Sequence, residues 1–228
     1  MSVVLVVDDE PQIRAIIGYV VESTGREWIG AGSAEEARAV LQERSVELIL
    51  LDVMLPGASG IDLCEAVRAS SSTPVVLLSA LGDEEDRIRG LEAGADDYIT
   101  KPFSPREVGL RIEAILRRHG DTSWSEAEGI RIDSDTGELS FEGSTTLLPA
   151  MESRVLEQLL HHYNRTVSFH DLLHNVWNTD ESVGGREMVR ITVHRLRAHL
   201  KAIGVRENLI ETVRGTGYRM RQQSSKED

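Results

Sequence analysis

The 228-residue chain carries 25 Lys+Arg against 38 Asp+Glu, a formal net charge of -13, and is 40% hydrophobic. Such a chain can bury ordinary cores in one or two domains, and its acidity excludes nonspecific nucleic-acid binding by the molecule as a whole. No apolar run nears the roughly 20 residues that span a bilayer, no cationic leader precedes the first strand and Cys64 is the single cysteine, so a cytoplasmic setting without membrane or disulfide is expected.

Residues 1–118 alternate strand and helix five times. Val3–Val7 is a β-branched apolar run that predicts a strand, followed by a helix over Pro11–Ser23 with Ile13, Ile16, Ile17, Val20 and Val21. Trp28–Ala31 is a second strand. Ser33-Ala34-Glu35-Glu36 forms a capping box for a helix with Ala37, Val40 and Leu41. Leu48–Leu51 predicts a third strand, and Ile61, Leu63, Cys64 and Val67 mark the third helix. Pro74–Ser79 is the fourth strand, Asp83–Glu92 a charged helix and Tyr98–Thr100 a short fifth strand. Ser104-Pro105-Arg106-Glu107 caps a last helix carrying Val108, Leu110, Ile112, Ile115 and Leu116. Repeated βα units predict an α/β fold: a five-stranded, doubly wound parallel sheet with helices on both faces.

The strand ends carry the chemistry. Two buried runs end in carboxylates, Val3–Val7 into Asp8-Asp9-Glu10 and Leu48–Leu51 into Asp52. If the two strands are neighbours, Asp8, Asp9 and Asp52 converge at the edge where open α/β sheets place their ligands. Clustered carboxylates repel, and a hard cation with oxygen ligands, Mg²⁺ above all, answers that repulsion. Ser79 and Lys101 fall at the same edge, each also compatible with a plain solvated loop position. Together these groups form a phosphoryl-transfer kit with Asp52 as nucleophile. No Gly-rich Walker-type loop is present, so a nucleotide is not the expected phosphoryl donor.

Asp8-Asp9, Asp52 with Met54-Leu55-Pro56-Gly57 after it, Ser79-Ala80, and Gly94-Ala95-Asp96-Asp97-Tyr98 through Lys101-Pro102-Phe103 resemble the receiver domain of two-component response regulators. The resemblance implies that Asp52 takes a phosphoryl group from a sensor histidine kinase. It implies that Asp9, Asp52 and the Met54 carbonyl ligate Mg²⁺, with Asp8 acting through water. Ser79 and Tyr98 would be a switch pair, Ser79 moving toward the phosphoryl group and Tyr98 rotating inward behind it. The OmpR/PhoB subfamily further implies a homodimer through the fourth and fifth helices when phosphorylated. Its pairs would be Arg87 with Glu107, Asp97 with Arg111, and Asp96 with Arg118.

Residues 119–129 are short and polar and read as a linker. From 130 to 222 the pattern changes to short strands (Ile130–Ile132, Glu138–Phe141, Thr145–Leu147) and a helix over Ala150–His162. A second helix is capped by Ser168, a third runs over Arg186–Ile203, and Leu209–Met220 reads as a Gly-tipped hairpin. The tail 223–228 is expected to be disordered. Charge separates the halves. Residues 1–120 hold 12 Lys+Arg and 21 Asp+Glu, whereas 186–221 hold nine basic and three acidic residues. A cationic helix and hairpin on an anionic protein mark a local polyanion site.

That order, with Arg195-Leu196-Arg197 and Thr212-Val213-Arg214-Gly215-Thr216-Gly217-Tyr218-Arg219, resembles the winged helix-turn-helix domain of the OmpR/PhoB subfamily, a smaller α+β fold that binds double-stranded DNA. The resemblance assigns Arg190, Thr192, His194, Arg195 and Arg197 to the major groove, with Arg195 able to read guanine. It assigns Arg214 and Thr216 to the minor groove, and the loop Trp177–Gly185 to RNA polymerase. Four residues depart from the pattern, Glu187-Met188 for Arg-Thr, Arg190 for Asp and Thr192 for His, which bears on base preference; Ser153 also stands where a large apolar residue is usual. His161, His162, His170 and His174 lack metal-ligand spacing and read as surface or core.

The expected protein is therefore a phosphorylation-activated transcription regulator and not an enzyme. An aspartate-nucleophile phosphatase needs a second Asp two residues after the nucleophile, where Met54 stands. The alternative is a regulator that dimerises constitutively, without phosphorylation.

Overall fold

The computed structural model describes residues 3–80, 84–116, 124–133, 136–179, 184–206 and 208–221. The chain divides into two compact units, Met1–Arg117 and Arg118–Asp228.

The first unit runs β1 (Val3–Val7), α1 (Pro11–Ser23), β2 (Trp28–Ala31), α2 (Ala34–Glu43), β3 (Val46–Asp52), a small hairpin of β4 (Met54–Leu55) and β5 (Ala58–Ser59), and α3 (Gly60–Arg68). It continues through β6 (Val75–Ser79), α4 (Glu84–Glu92), β7 (Asp97–Thr100) and α5 (Pro105–Leu116). Five strands form one parallel sheet in the order β2-β1-β3-β6-β7. Every residue of β1 and β6, and Leu48–Asp52 of β3, is buried, as strands covered by helices on both faces must be. Each fully buried aliphatic chain contributes about 1.5–3 kcal/mol of transfer free energy, so Leu50→Ala costs about 2–5 kcal/mol with its cavity.

Local sequence fixes the helix starts. The Glu36 N–H donates to Ser33 Oγ (3.2 Å), while the Glu36 carboxylate accepts from Gly32 N–H (2.7 Å), a capping box displaced by one residue. The Glu107 N–H donates to Ser104 Oγ (3.1 Å) at the start of α5. At Gly60 a Cβ would stand 2.0 Å from the Asp52 carbonyl oxygen, so only glycine lets α3 start against the end of β3.

The second unit opens with an antiparallel sheet, β8 (Trp124–Ala127), β9 (Ile130–Asp133), β10 (Glu138–Phe141) and β11 (Ser144–Leu147). Then follow α6 (Ala150–His161), β12 (Thr166–Ser168), α7 (Phe169–Leu172), a π-helical turn over Leu173–Trp177, α8 (Gly185–Ala202), and the hairpin β13 (Ile210–Val213) with β14 (Gly217–Met220). The hairpin pairs with β12 through β14. Gly217 is obligatory there, because a Cβ would meet the Val167 carbonyl oxygen at 2.0 Å.

Two expectations need correction. Trp124–Ala127, assigned to the linker, is an edge strand paired with β9 through Trp124↔Asp133 to Ala127↔Ile130, and Gly129 is the turn between them. The helix capped by Ser168 is not one α-helix: after α7 it widens into the π-turn, which stops at Asn178 in the left-handed conformation (φ 54). The tail 223–228 lies outside the described residues.

Candidate functional site

In the order β2-β1-β3-β6-β7 the strand order reverses between β1 and β3, the crevice where doubly wound sheets bind ligands. Asp8 follows β1 and Asp52 ends β3, and the register Val7↔Leu51 sets them side by side. Lys101 follows β7, joined to Pro102 by a cis peptide bond. Its ammonium donates to Asp8 Oδ2 and to Asp52 Oδ2, each at 2.7 Å. The second oxygens are also held: Glu10 N–H donates to Asp8 Oδ1 (2.9 Å) and Met54 N–H to Asp52 Oδ1 (3.1 Å). Asp8 and Asp52 are buried and Asp9 is exposed, and carboxylate oxygens of all three lie within 4.8 Å of one another.

Burial pushes the Asp52 carboxyl above the usual carboxylate range, Asp8 adds to that, and the Lys101 and Met54 hydrogen bonds oppose it. Burial also works against the Lys101 ammonium, but its bonds to Asp52 and Asp8 outweigh this and hold it above ordinary lysine. Three carboxylates thus face one ammonium. An all-oxygen donor set with surplus negative charge at a half-open edge fits a hard divalent cation such as Mg²⁺.

Ser79 ends β6, next to β3 in the sheet, and is fully buried. Its carbonyl accepts from Lys101 N–H at 2.7 Å, so the serine and the lysine are fixed to each other. Tyr98 on β7 lies inward, 6% exposed, with its hydroxyl hydrogen-bonded to the Ser79 side chain. Burial raises the phenol above its ordinary value.

The second unit presents cations. On α8, Met188, Val189, Val193, Leu196 and Leu200 are buried, and Arg186, Arg190 and His194 are exposed. Arg214 and Thr216 are exposed at the hairpin tip. Three expected DNA contacts have other work. Thr192 is 2% exposed and its hydroxyl donates to the Met188 carbonyl (2.9 Å), so it cannot reach a groove. Arg197 donates to the Ile210 carbonyl (2.8 Å) and Thr212 Oγ1 (3.0 Å) and lies over the Tyr218 ring, which ties α8 to the hairpin. Arg195 Nε lies 3.1 Å from Glu152 Oε1 of α6, and Glu152 also meets His199 Nδ1 at 2.8 Å.

Residues 4–113 match the family described as response regulator receiver domain, and residues 143–220 match transcriptional regulatory protein, C terminal. The phosphate regulon transcriptional regulatory protein PhoB of Pseudomonas aeruginosa is 42% identical over 223 residues, covering 95% of this chain and 96% of PhoB. PhoB of Escherichia coli K12 is 40% identical over 222 residues, 95% of this chain and 96% of that protein. The sensory transduction protein RegX3 of Mycobacterium tuberculosis H37Rv is 36% identical over 226 residues, 96% of this chain and 99% of RegX3. The crystal structure of DrrB, an OmpR/PhoB homologue of Thermotoga maritima, aligns over 97% of this chain and 100% of DrrB at 29% identity with a TM-score of 0.52. The chain belongs to the OmpR/PhoB-type response regulators. It joins a receiver domain to a DNA-binding domain, and its relatives are transcription regulators.

In this response regulator the face expected to pair between chains is partly committed within one chain. Arg111 donates to Asp97 Oδ1 and Oδ2 at 3.1 and 2.9 Å, with both residues buried. Asp96 is fully buried, bound at 2.6 Å by Arg68 of α3 and accepting the Val75 N–H at 2.9 Å. Its partner within the chain is thus an arginine 28 positions earlier, and Arg118, expected to meet Asp96 between chains, lies outside the described residues. Burial pushes the Asp97 carboxyl up, against the pull of Arg111. Sequence reasoning missed Arg68, Glu152 and His199, since a charged residue on a helix reads as solvated. Thr192 was legible: it stands four residues after Met188 and four before Leu196, on the core face.

Proposed function

We propose that Asp52 accepts a phosphoryl group from a sensor histidine kinase and that this charge event controls DNA binding by the second unit. One Asp52 oxygen bonds to phosphorus as the phosphorus–nitrogen bond of a phosphohistidine breaks, and the imidazole nitrogen leaves with the electron pair. Asp8, Asp9, Asp52 and the Met54 carbonyl hold Mg²⁺, which when bound neutralises charge on the transferring group. Lys101 and Ser79 take the remaining phosphoryl oxygens. The observation that carries this reading is the Lys101 ammonium bridging Asp8 and Asp52 at 2.7 Å each, a cation already placed where phosphoryl oxygens would come to lie.

Ser79 drawn toward the phosphoryl group takes its hydroxyl from Tyr98, and the faces of α4 and α5 change with it. Two copies then associate through Arg87, Glu107, Asp97, Arg111 and Arg118, with Asp96 kept inside by Arg68. Pairing two weak DNA binders raises affinity without new base contacts. The loop Trp177–Gly185 would meet RNA polymerase, and its residues 180–183 lie outside the described residues. Among the described residues no helix is long and apolar enough to cross a membrane, and we place the protein in the cytoplasm, acting as a regulator with no turnover of its own. Sedimentation of wild type and Asp52→Asn with a small-molecule phosphodonor and Mg²⁺ tests this. Wild type is expected to dimerise and Asp52→Asn to stay monomeric.

One observation favours a second reading. Tyr98 lies inward on Ser79, the placement expected of the activated state. If the receiver dimerises without phosphorylation, Asp52→Asn sediments as a dimer with and without the phosphodonor.

A further inference from the structure

Glu187, Arg190, His194, Arg197 and Lys201 recur along α8 at helical spacing and share one face. Four of the five carry a cation or an imidazole, and the first is a carboxylate. A carboxylate among DNA phosphates only repels. This one is also not free to swing away: Arg190 Nη1 holds Glu187 Oε2 at 3.1 Å, and the glutamate side chain is 26% exposed. Its place is the first turn of α8, the end of a recognition helix that meets base edges. The adjacent Arg186 is drawn aside over the Phe169 ring at 5.6 Å.

Resting on the DNA-binding reading, we infer that Glu187 is a specificity-determining residue that accepts a hydrogen bond from the N4 amino group of a cytosine in the major groove, with Arg190 positioning it. The major-groove edges decide the base. Guanine offers only acceptors and thymine an acceptor and a methyl group, so both are rejected by a carboxylate. Adenine offers an amino group beside the N7 acceptor, which repels the second carboxylate oxygen. Cytosine offers the amino group alone. The i,i+3 ion pair leaves Arg190 able to touch a phosphate while it fixes the rotamer of Glu187.

The test is selection of bound sequences from randomised duplexes by the full chain, with a phosphodonor and Mg²⁺, for wild type, Glu187→Ala and Glu187→Gln. Wild type is expected to prefer cytosine at one position of each half-site by about 5- to 10-fold. Glu187→Ala flattens that position alone. Glu187→Gln moves the preference to adenine, because an amide can both accept from N6 and donate to N7. If both variants bind every sequence more tightly while each position keeps its wild-type preference, Glu187 is only a repulsive charge and the inference falls, with the DNA-binding reading intact. If wild type shows no sequence preference at all, both fall.

Discussion

In the receiver unit one half-buried lysine serves two carboxylates; in the DNA-binding unit one buried carboxylate serves an arginine and a histidine. Lys101 bridges Asp8 and Asp52 with its ammonium, its side chain 15% exposed. Glu152 joins Arg195 and His199, its own side chain 1% exposed. The arrangements are mirror images in sign and differ in where the surplus points. Around Lys101 a third carboxylate, Asp9, stands at the exposed rim, so uncompensated negative charge opens outward at the strand ends. On the proposed reading that charge draws a divalent cation, and an Asp52 oxygen bonds to phosphorus. Around Glu152 the ion pairs run between α6 and α8, so they hold the recognition helix in place. Exposed cations include Arg186 over the Phe169 ring, Arg190 paired with Glu187, and Arg214 at the hairpin tip. The first cluster leaves charge open at a strand edge, and the second spends its charge between two helices.

Removing the central group of the second cluster should break the comparison most visibly. Glu152→Ala leaves Arg195 and His199 without their buried counter-charge, and both can reach water, so a loss of about 2–3 kcal/mol is expected rather than the full cost of a stranded buried ion. Chemical denaturation of the second unit's transition checks it. Arg197→Ala removes two hydrogen bonds and a ring contact between α8 and the hairpin, and should cost about 1–2 kcal/mol in the same measurement.

In the receiver the sign reverses. The Asp52 carboxyl is raised by burial, so the fold binds its proton more tightly than the unfolded chain does. The stability that proton brings is present at acid pH and is lost as pH rises through the folded value. At neutral pH Asp52→Asn therefore removes a penalty, and the receiver transition should gain about 1 kcal/mol while phosphoryl uptake disappears. A destabilised receiver would show that Lys101 alone balances the cluster.

The smallest effect is a pH slope. The contact with Glu152 raises the His199 imidazole, and burial opposes it less strongly. Stability from a raised histidine is complete below its unfolded value and fades as pH rises through the folded one. His199 is partly exposed, so the slope above the ordinary histidine range should amount to less than about 1 kcal/mol. His199→Gln should abolish it.

The same contrast explains what the sequence made legible. Asp8, Asp9, Asp52, Ser79 and Lys101 could be found because each terminates or directly follows a buried apolar strand, and parallel strands put their ends on one edge. The repeated strand-helix units and the helix starts at Ser33 and Ser104 followed from equally local patterns. Pairs such as Arg68–Asp96 and Glu152–Arg195 could not be found that way, because they join distant positions on separate elements and each residue alone resembles a surface charge. Trp124–Ala127 was hidden for a related reason: an edge strand covers little core, so its composition resembles a linker. The π-turn after Leu172 has no composition of its own.

Control by phosphorylation turns on phosphoryl uptake at the cluster around Lys101. Intact-mass measurement after treatment with a phosphodonor tests it most directly, for wild type and Asp52→Asn, each with Mg²⁺ and with chelator. One added phosphoryl group is expected on wild type with Mg²⁺ and none in the other three samples. A phosphoryl group on Asp52→Asn, or none on wild type with Mg²⁺, would contradict it.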